Sequence, residues 1–126
     1  MKLDGITFDM LVNDFLNKTL EDQLKCDSLI KSLFLSLNKF DKRRLRLLDL
    51  ILYKRDSVKD IIAGPPMIAK QGCHLSNDEL VKIVDYIYNN SDYKLAGYLN
   101  YYIYINLPNE LKEKIIHLII MDELQK

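Results

Sequence analysis

A chain of 126 residues that is 48% apolar and 29% charged carries too many core-forming side chains to stay disordered. Its formal charge is zero, so no global field draws it toward nucleic acid or a membrane surface. No basic start leads into an apolar run, no stretch approaches the roughly 20 residues of a membrane span, and Cys26 and Cys73 alone make no disulfide framework. These features predict one cytoplasmic domain, 1–126, with reduced thiols.

Residues 7–17 place Phe8, Leu11, Val12, Phe15 and Leu16 at spacings of three and four, which predicts an amphipathic helix. Thr19 reads as the N-cap of a second helix, with Glu21 and Asp22 in a first turn whose dipole favours acids. That helix is expected to reach Phe40 and to bury Cys26, Leu29, Ile30, Leu33, Leu37 and Phe40 along one stripe. Asp41 is the expected cap of a third helix ending near Lys54. Its run Leu47, Leu48, Leu50, Ile51 and Leu52 is apolar most of the way round and predicts burial on several sides. A short helix at 58–63 then stops at Gly64-Pro65-Pro66, because successive prolines remove donors and favour extended backbone. Residues 64–75 are the one long loop.

Ser76 and Glu79 form a capping box ahead of Leu80, Ile83, Val84 and Ile87. Asn89-Asn90-Ser91 closes this helix, and Ser91 or Asp92 caps the next, which runs to about Ile105. Ala96 and Gly97 are expected to let another helix approach closely, compensating the roughly 0.5–1 kcal/mol that an internal glycine costs relative to alanine. The run Tyr102–Ile105 has strand propensity but lies within a helical pattern, and helix is expected there. Pro108 suits the first position of a last helix, whose Leu111, Ile115, Leu118 and Ile119 close the core.

The fold class expected is all-α, a small bundle or short stack of about six helices. One block recurs, as RLLDLIL at 46–52, KIVDYIY at 82–88 and KIIHLII at 114–120, at spacings of 36 and 32 residues. Such spacings suit diverged helical-hairpin repeats. Aligning the blocks predicts Leu48, Val84 and Ile116 in the core.

Catalytic residue types are present without a catalytic arrangement. Gly72-Cys73-His74 sets two metal-ligand types side by side, but structural zinc needs four ligands, and Cys26 and His117 have no neighbour at ligand spacing. Pairing Cys73 with His74 or His117 for nucleophilic catalysis rests on residue types alone. The four glycines are far apart and form no phosphate loop. The expectation is no enzyme, no metal and no cofactor.

Two surfaces suggest binding instead. Residues 39–70 hold nine Lys or Arg against four Asp, including all four arginines. Lys42, Arg43, Arg44, Arg46 and Arg55 would suit phosphates or an acidic protein, and equally a solvated face paired with acids of the first helix. Seven of the eight tyrosines fall in residues 86–104. On a helix, Tyr98 and Tyr102 share the side of Leu95, whereas Tyr101 and Tyr104 lie roughly 60–100° away. This predicts that Tyr101 or Tyr104 is exposed, and Tyr93, Tyr98, Tyr101 and Tyr104 are the expected partner-binding residues. The function expected is a non-enzymatic module that masks or inhibits a protein partner, comparable in size and helical class alone to toxin immunity proteins and phage inhibitors. The alternative is a nucleic-acid-binding regulator using residues 39–59. No membrane partner is expected.

Overall fold

The computed structural model describes residues 5–64, 74–103 and 107–126, with helical backbone only at positions 5 and 6. Among these residues the chain is all-α. It forms eight helices and no strand: α1 (Gly5–Leu16), α2 (Leu20–Leu24), α3 (Asp27–Ser36), α4 (Arg43–Ile51), α5 (Arg55–Ala63), α6 (Asn77–Asn89), α7 (Tyr93–Ile103) and α8 (Asn109–Leu124). They divide into two compact units, Met1–Tyr53 and Lys54–Lys126, and the division falls ahead of the Gly-Pro-Pro stretch.

In the first unit, α1 buries Val12, Phe15 and Leu16 and leaves Leu11 exposed. Thr19 caps α2 by accepting from the Asp22 amide. The single helix expected from Thr19 to Phe40 is instead two, which accounts for a helix count above six. The Gln23 amide is buried and donates to the carbonyls of Phe15 and Leu16 at 3.0 and 3.2 Å, satisfying the open end of α1. That bond ties α2 beneath α1, and the chain must turn at Cys26 (φ −115°, ψ 53°) before α3 can start. Cys26 is therefore half-buried at a break, its thiol donating to the Asp22 carbonyl, and not a core residue of a continuous helix. Phe40, expected in the same stripe, lies in the turn after α3 and is 77% exposed.

α3 and α4 pack together, burying Ile30, Leu33 and Phe34 with Leu47, Leu48, Leu50 and Ile51. Asp41 sits one residue ahead of the cap position, where its carboxylate accepts from the Arg43 amide at 3.0 Å. Arg43 reaches Asp9 and Asn13 on α1, and Arg46 reaches the Leu16 carbonyl, so α4 runs along α1 in the same direction.

In the second unit, the Ser76–Glu79 capping box starts α6 as expected, with both reciprocal bonds made. The Asp92 carboxylate accepts from the Leu95 amide and caps α7. Pro108 precedes α8 as its N-cap, one position earlier than expected. Tyr93 at the start of α7 meets Gln125 at the end of α8, so these two helices run antiparallel. Asp85 pairs with Lys114 and Tyr88 faces His117, both pairs 29 residues apart, so α6 and α8 run in the same direction. α5 lies against α7, where Arg55 grips Asp92 through Nε at 2.8 Å and a terminal nitrogen at 3.2 Å.

The three related blocks are helical up to Leu52, which is the C-cap of α4, but they do not bury the same positions. Leu48 and Val84 are fully buried, as expected, whereas Ile116 is 38% exposed and its neighbour Ile115 fills the core. The core face of α8 is Leu111, Ile115 and Leu118, at spacings of four and three, and position 116 lies about 100° off Ile115. The alignment of the blocks therefore places the third copy one residue out of phase.

Two ion pairs make the fold sensitive to acid. The Arg43 hydrogen bond draws the Asp41 carboxyl below the ordinary carboxylate range. At Asp92, burial works against ionisation, but the Arg55 guanidinium and the Leu95 amide outweigh it and hold the carboxyl low. Both groups bind a proton less readily when folded. Their contribution is complete above the unfolded carboxylate value, about pH 4, and is lost as pH falls through the lower folded values. The melting temperature should fall on acidification below about pH 4. Arg55→Met should lower it at neutral pH and flatten the acid-dependent fall, which a pH series by circular dichroism would measure.

Candidate partner-binding site

Helix α7 buries Leu95, Ala96, Leu99 and Ile103 on one side, which directs its tyrosines to the flanks and the outer face. Tyr98 and Tyr102, one turn apart, are half-buried with ring centroids 4.7 Å apart. Tyr101 stands edge-on to Tyr102 at 5.0 Å and is 80% exposed. From α5, the Lys59 ammonium lies 5.2 Å from the centre of the Tyr98 ring, a cation–π distance. Burial, then the Tyr102 hydroxyl and the Asp60 carboxylate, push the Tyr98 hydroxyl above its ordinary pKa, so it stays a neutral donor at physiological pH. The result is a three-ring cluster with a cation at one edge and an exposed ring at the other.

Of the expected partner-binding tyrosines, the structure brings Tyr98 and Tyr101 together. Tyr93 stands apart, half-buried, its hydroxyl accepting from Gln125 at 3.1 Å. Tyr104 lies outside the described residues. Tyr102 and Lys59 were not singled out for this site. Tyr102 shares the Tyr98 face by spacing, but nothing local in the sequence signals Lys59, which belongs to another helix.

Gly97 corrects an expectation. It is exposed, and a Cβ at that position would meet nothing within 4 Å, so among the described residues no helix packs closely against it. Gly97→Ala should therefore raise stability by about 0.5–1 kcal/mol, read from urea unfolding.

Within the basic segment, Arg43 is tied down by acids and Arg44 is buried, while Lys42, Arg46, Lys54 and Arg55 are exposed. Arg43 is held by Asp41 at 2.7 Å, by Asp9 at 2.9 Å and by Asn13 at 3.1 Å. Arg44, proposed for an exposed patch, is 3% exposed and stacks 4.1 Å over the Phe34 ring while donating to the Leu37 carbonyl. Its long stem and planar head fill the space between α3 and α4, which a solvated cation would leave empty. Arg46 is exposed but donates to the Leu16 carbonyl, Lys42 is exposed, and Arg55 is bound to Asp92 in the second unit.

Among the described residues, no group of three or more His, Cys, Asp or Glu could hold a metal, and no helix is long and apolar enough to cross a membrane. His74 contacts the Ile61 carbonyl at 2.8 Å, His117 is exposed beside Tyr88, and Cys73 lies outside the described residues. No family model, curated protein or solved structure matches the chain.

Proposed function

We propose that the chain is a non-enzymatic, cytoplasmic protein-binding module that masks or inhibits a protein partner through the Tyr98–Tyr101–Tyr102 face of α7. The observation that carries this reading is Tyr101, a large amphipathic ring 80% in solvent and braced by Tyr102. An ordered exposed tyrosine offers contact area at little entropic cost, which is why tyrosine is enriched among interface hot spots. On this reading the three related blocks are diverged copies of a helical hairpin, and the bundle is a scaffold that displays one face. The alternative, a nucleic-acid regulator using residues 39–59, has fewer groups to draw on because all four arginines are engaged within the chain.

Tyr101→Ala should weaken the partner by about 1–4 kcal/mol while leaving the melting temperature within the range of surface substitutions. Proteins retained from the native host by wild-type and Tyr101→Ala chains, compared by quantitative mass spectrometry, test this. A partner held equally by both would place the site elsewhere.

A further inference from the structure

Helix α8 is apolar on two opposite sides. Leu111, Ile115 and Leu118 fill the core, whereas Ile116, Ile120 and Leu124 stand in water on the other side, 38%, 52% and 75% exposed. A helix with one side in water carries polar residues there as a rule, and one that is apolar all round is as a rule enclosed. The outer three are spaced by four residues, so they line up as a ridge of the kind that packs into the groove of another helix. Toward α6 the ridge adjoins His117, whose ring centroid lies 6.1 Å from that of Tyr88.

The charges on this outer face are of one sign. Glu110, Glu113 and Glu123 fall within about 75° of the direction facing away from the core, and all three are exposed. Glu110 and Glu113 make no ion pair among the described residues, and Glu123 shares Lys126 with Asp122. The two lysines of α8 lie off the face, Lys112 half-buried and Lys114 bound to Asp85 of α6 at 3.1 Å.

We propose that the outer face of α8 is a second docking site, on a different helix from Tyr101, and that it takes an amphipathic helix of a protein partner with Lys or Arg beside its own apolar stripe. Such a helix covers the Ile116–Ile120–Leu124 ridge with apolar side chains, the mode in which one helix lies along an apolar surface of another protein. Its cations meet Glu110 and Glu113, which otherwise have no counter-charge.

Charge selects this occupant over the others. A second copy seated face to face, in either direction, sets glutamates against glutamates, because the face holds no cation to answer them. Nucleic acid and an anionic bilayer bring phosphates to the same glutamates. Helices that lie on membranes carry Lys and Arg around their apolar stripe, the reverse of what α8 presents.

The probe is a labelled helical peptide of about 20 residues, with leucine at every fourth position and lysines alongside, read by fluorescence anisotropy against the whole chain. The wild-type chain should bind it at least about tenfold more tightly than the same peptide with glutamates in place of the lysines, and added salt should shrink that preference. Ile120→Ser and Glu113→Lys, both at exposed positions, should each weaken binding by at least about tenfold without moving the melting temperature, and Tyr101→Ala should leave it unchanged. A wild-type chain that ignores the lysine peptide overturns the proposal. So does binding indifferent to both Ile120→Ser and Glu113→Lys, or binding lost with Tyr101→Ala instead, since the peptide then sits elsewhere. Wild-type self-association in sedimentation, or retention on phosphatidylserine vesicles, that disappears with Ile120→Ser would likewise overturn it and give the ridge to a second copy or to a bilayer.

Discussion

Replacing Ile115 with alanine is expected to cost about 2–5 kcal/mol of stability, and the same change at Ile116 to stay within about 0.5 kcal/mol. The two isoleucines are adjacent and chemically identical, so the contrast isolates burial. Ile115 is fully enclosed among the side chains that α6, α7 and α8 bury, and truncation there removes apolar area and leaves a cavity. Ile116 already meets water, and its truncation opens no closed space. Urea unfolding of both variants would measure this. Equal losses would mean that α8 does not present its Leu111–Ile115–Leu118 face to the core.

Gly64→Ala is expected to cost about 2–4 kcal/mol from two separate causes. Gly64 ends α5 with φ 71° and ψ −177°, a backbone region essentially closed to other residues, and forcing alanine there stores about 1–3 kcal/mol. A Cβ would also stand 2.7–3.0 Å from three atoms of the His74 imidazole. Making room displaces the ring from the Ile61 carbonyl, a hydrogen bond worth about 1 kcal/mol. A double-mutant cycle separates the causes. In a His74→Ala background the cost of Gly64→Ala should drop by about 1 kcal/mol, because the ring is gone, and the backbone strain should remain. A Gly64→Ala chain as stable as wild type would show that the turn is not held in this conformation.

Local signals in the sequence carried most of the second unit. The Ser76–Glu79 box is complete within four residues, and the Leu80, Ile83, Val84 and Ile87 stripe points one way, so α6 was legible from spacing alone. The exposure of Tyr101 was legible for the same reason, since α7 cannot bury every side that carries a tyrosine. What escaped depends on residues far apart in the chain. Periodicity runs smoothly through Cys26, and the break there follows from Gln23 reaching back to Phe15 and Leu16. Arg44 looks like any member of a basic run until Phe34 is placed beneath it. Arg55 finds Asp92 and Lys59 finds Tyr98 only once α5 lies against α7. The periodicity of α8 points to Leu111, Ile115 and Leu118, which are buried, and only the alignment of the blocks misplaced Ile116, because KIIHLII carries isoleucine at both 115 and 116.

Protein binding by the Tyr101 face is the property on which the proposed function depends. The most direct measurement compares what the wild-type chain, Tyr101→Ala and a Lys42→Ala/Arg46→Ala variant each retain from the native host, with protein identified by mass spectrometry and nucleic acid assayed in the same eluates. The expected result is a protein partner that is lost with Tyr101→Ala, kept by the Lys42/Arg46 variant, and free of stoichiometric nucleic acid. Nucleic acid that elutes with wild type and Tyr101→Ala but not with the Lys42/Arg46 variant would contradict it and move the function to residues 39–59.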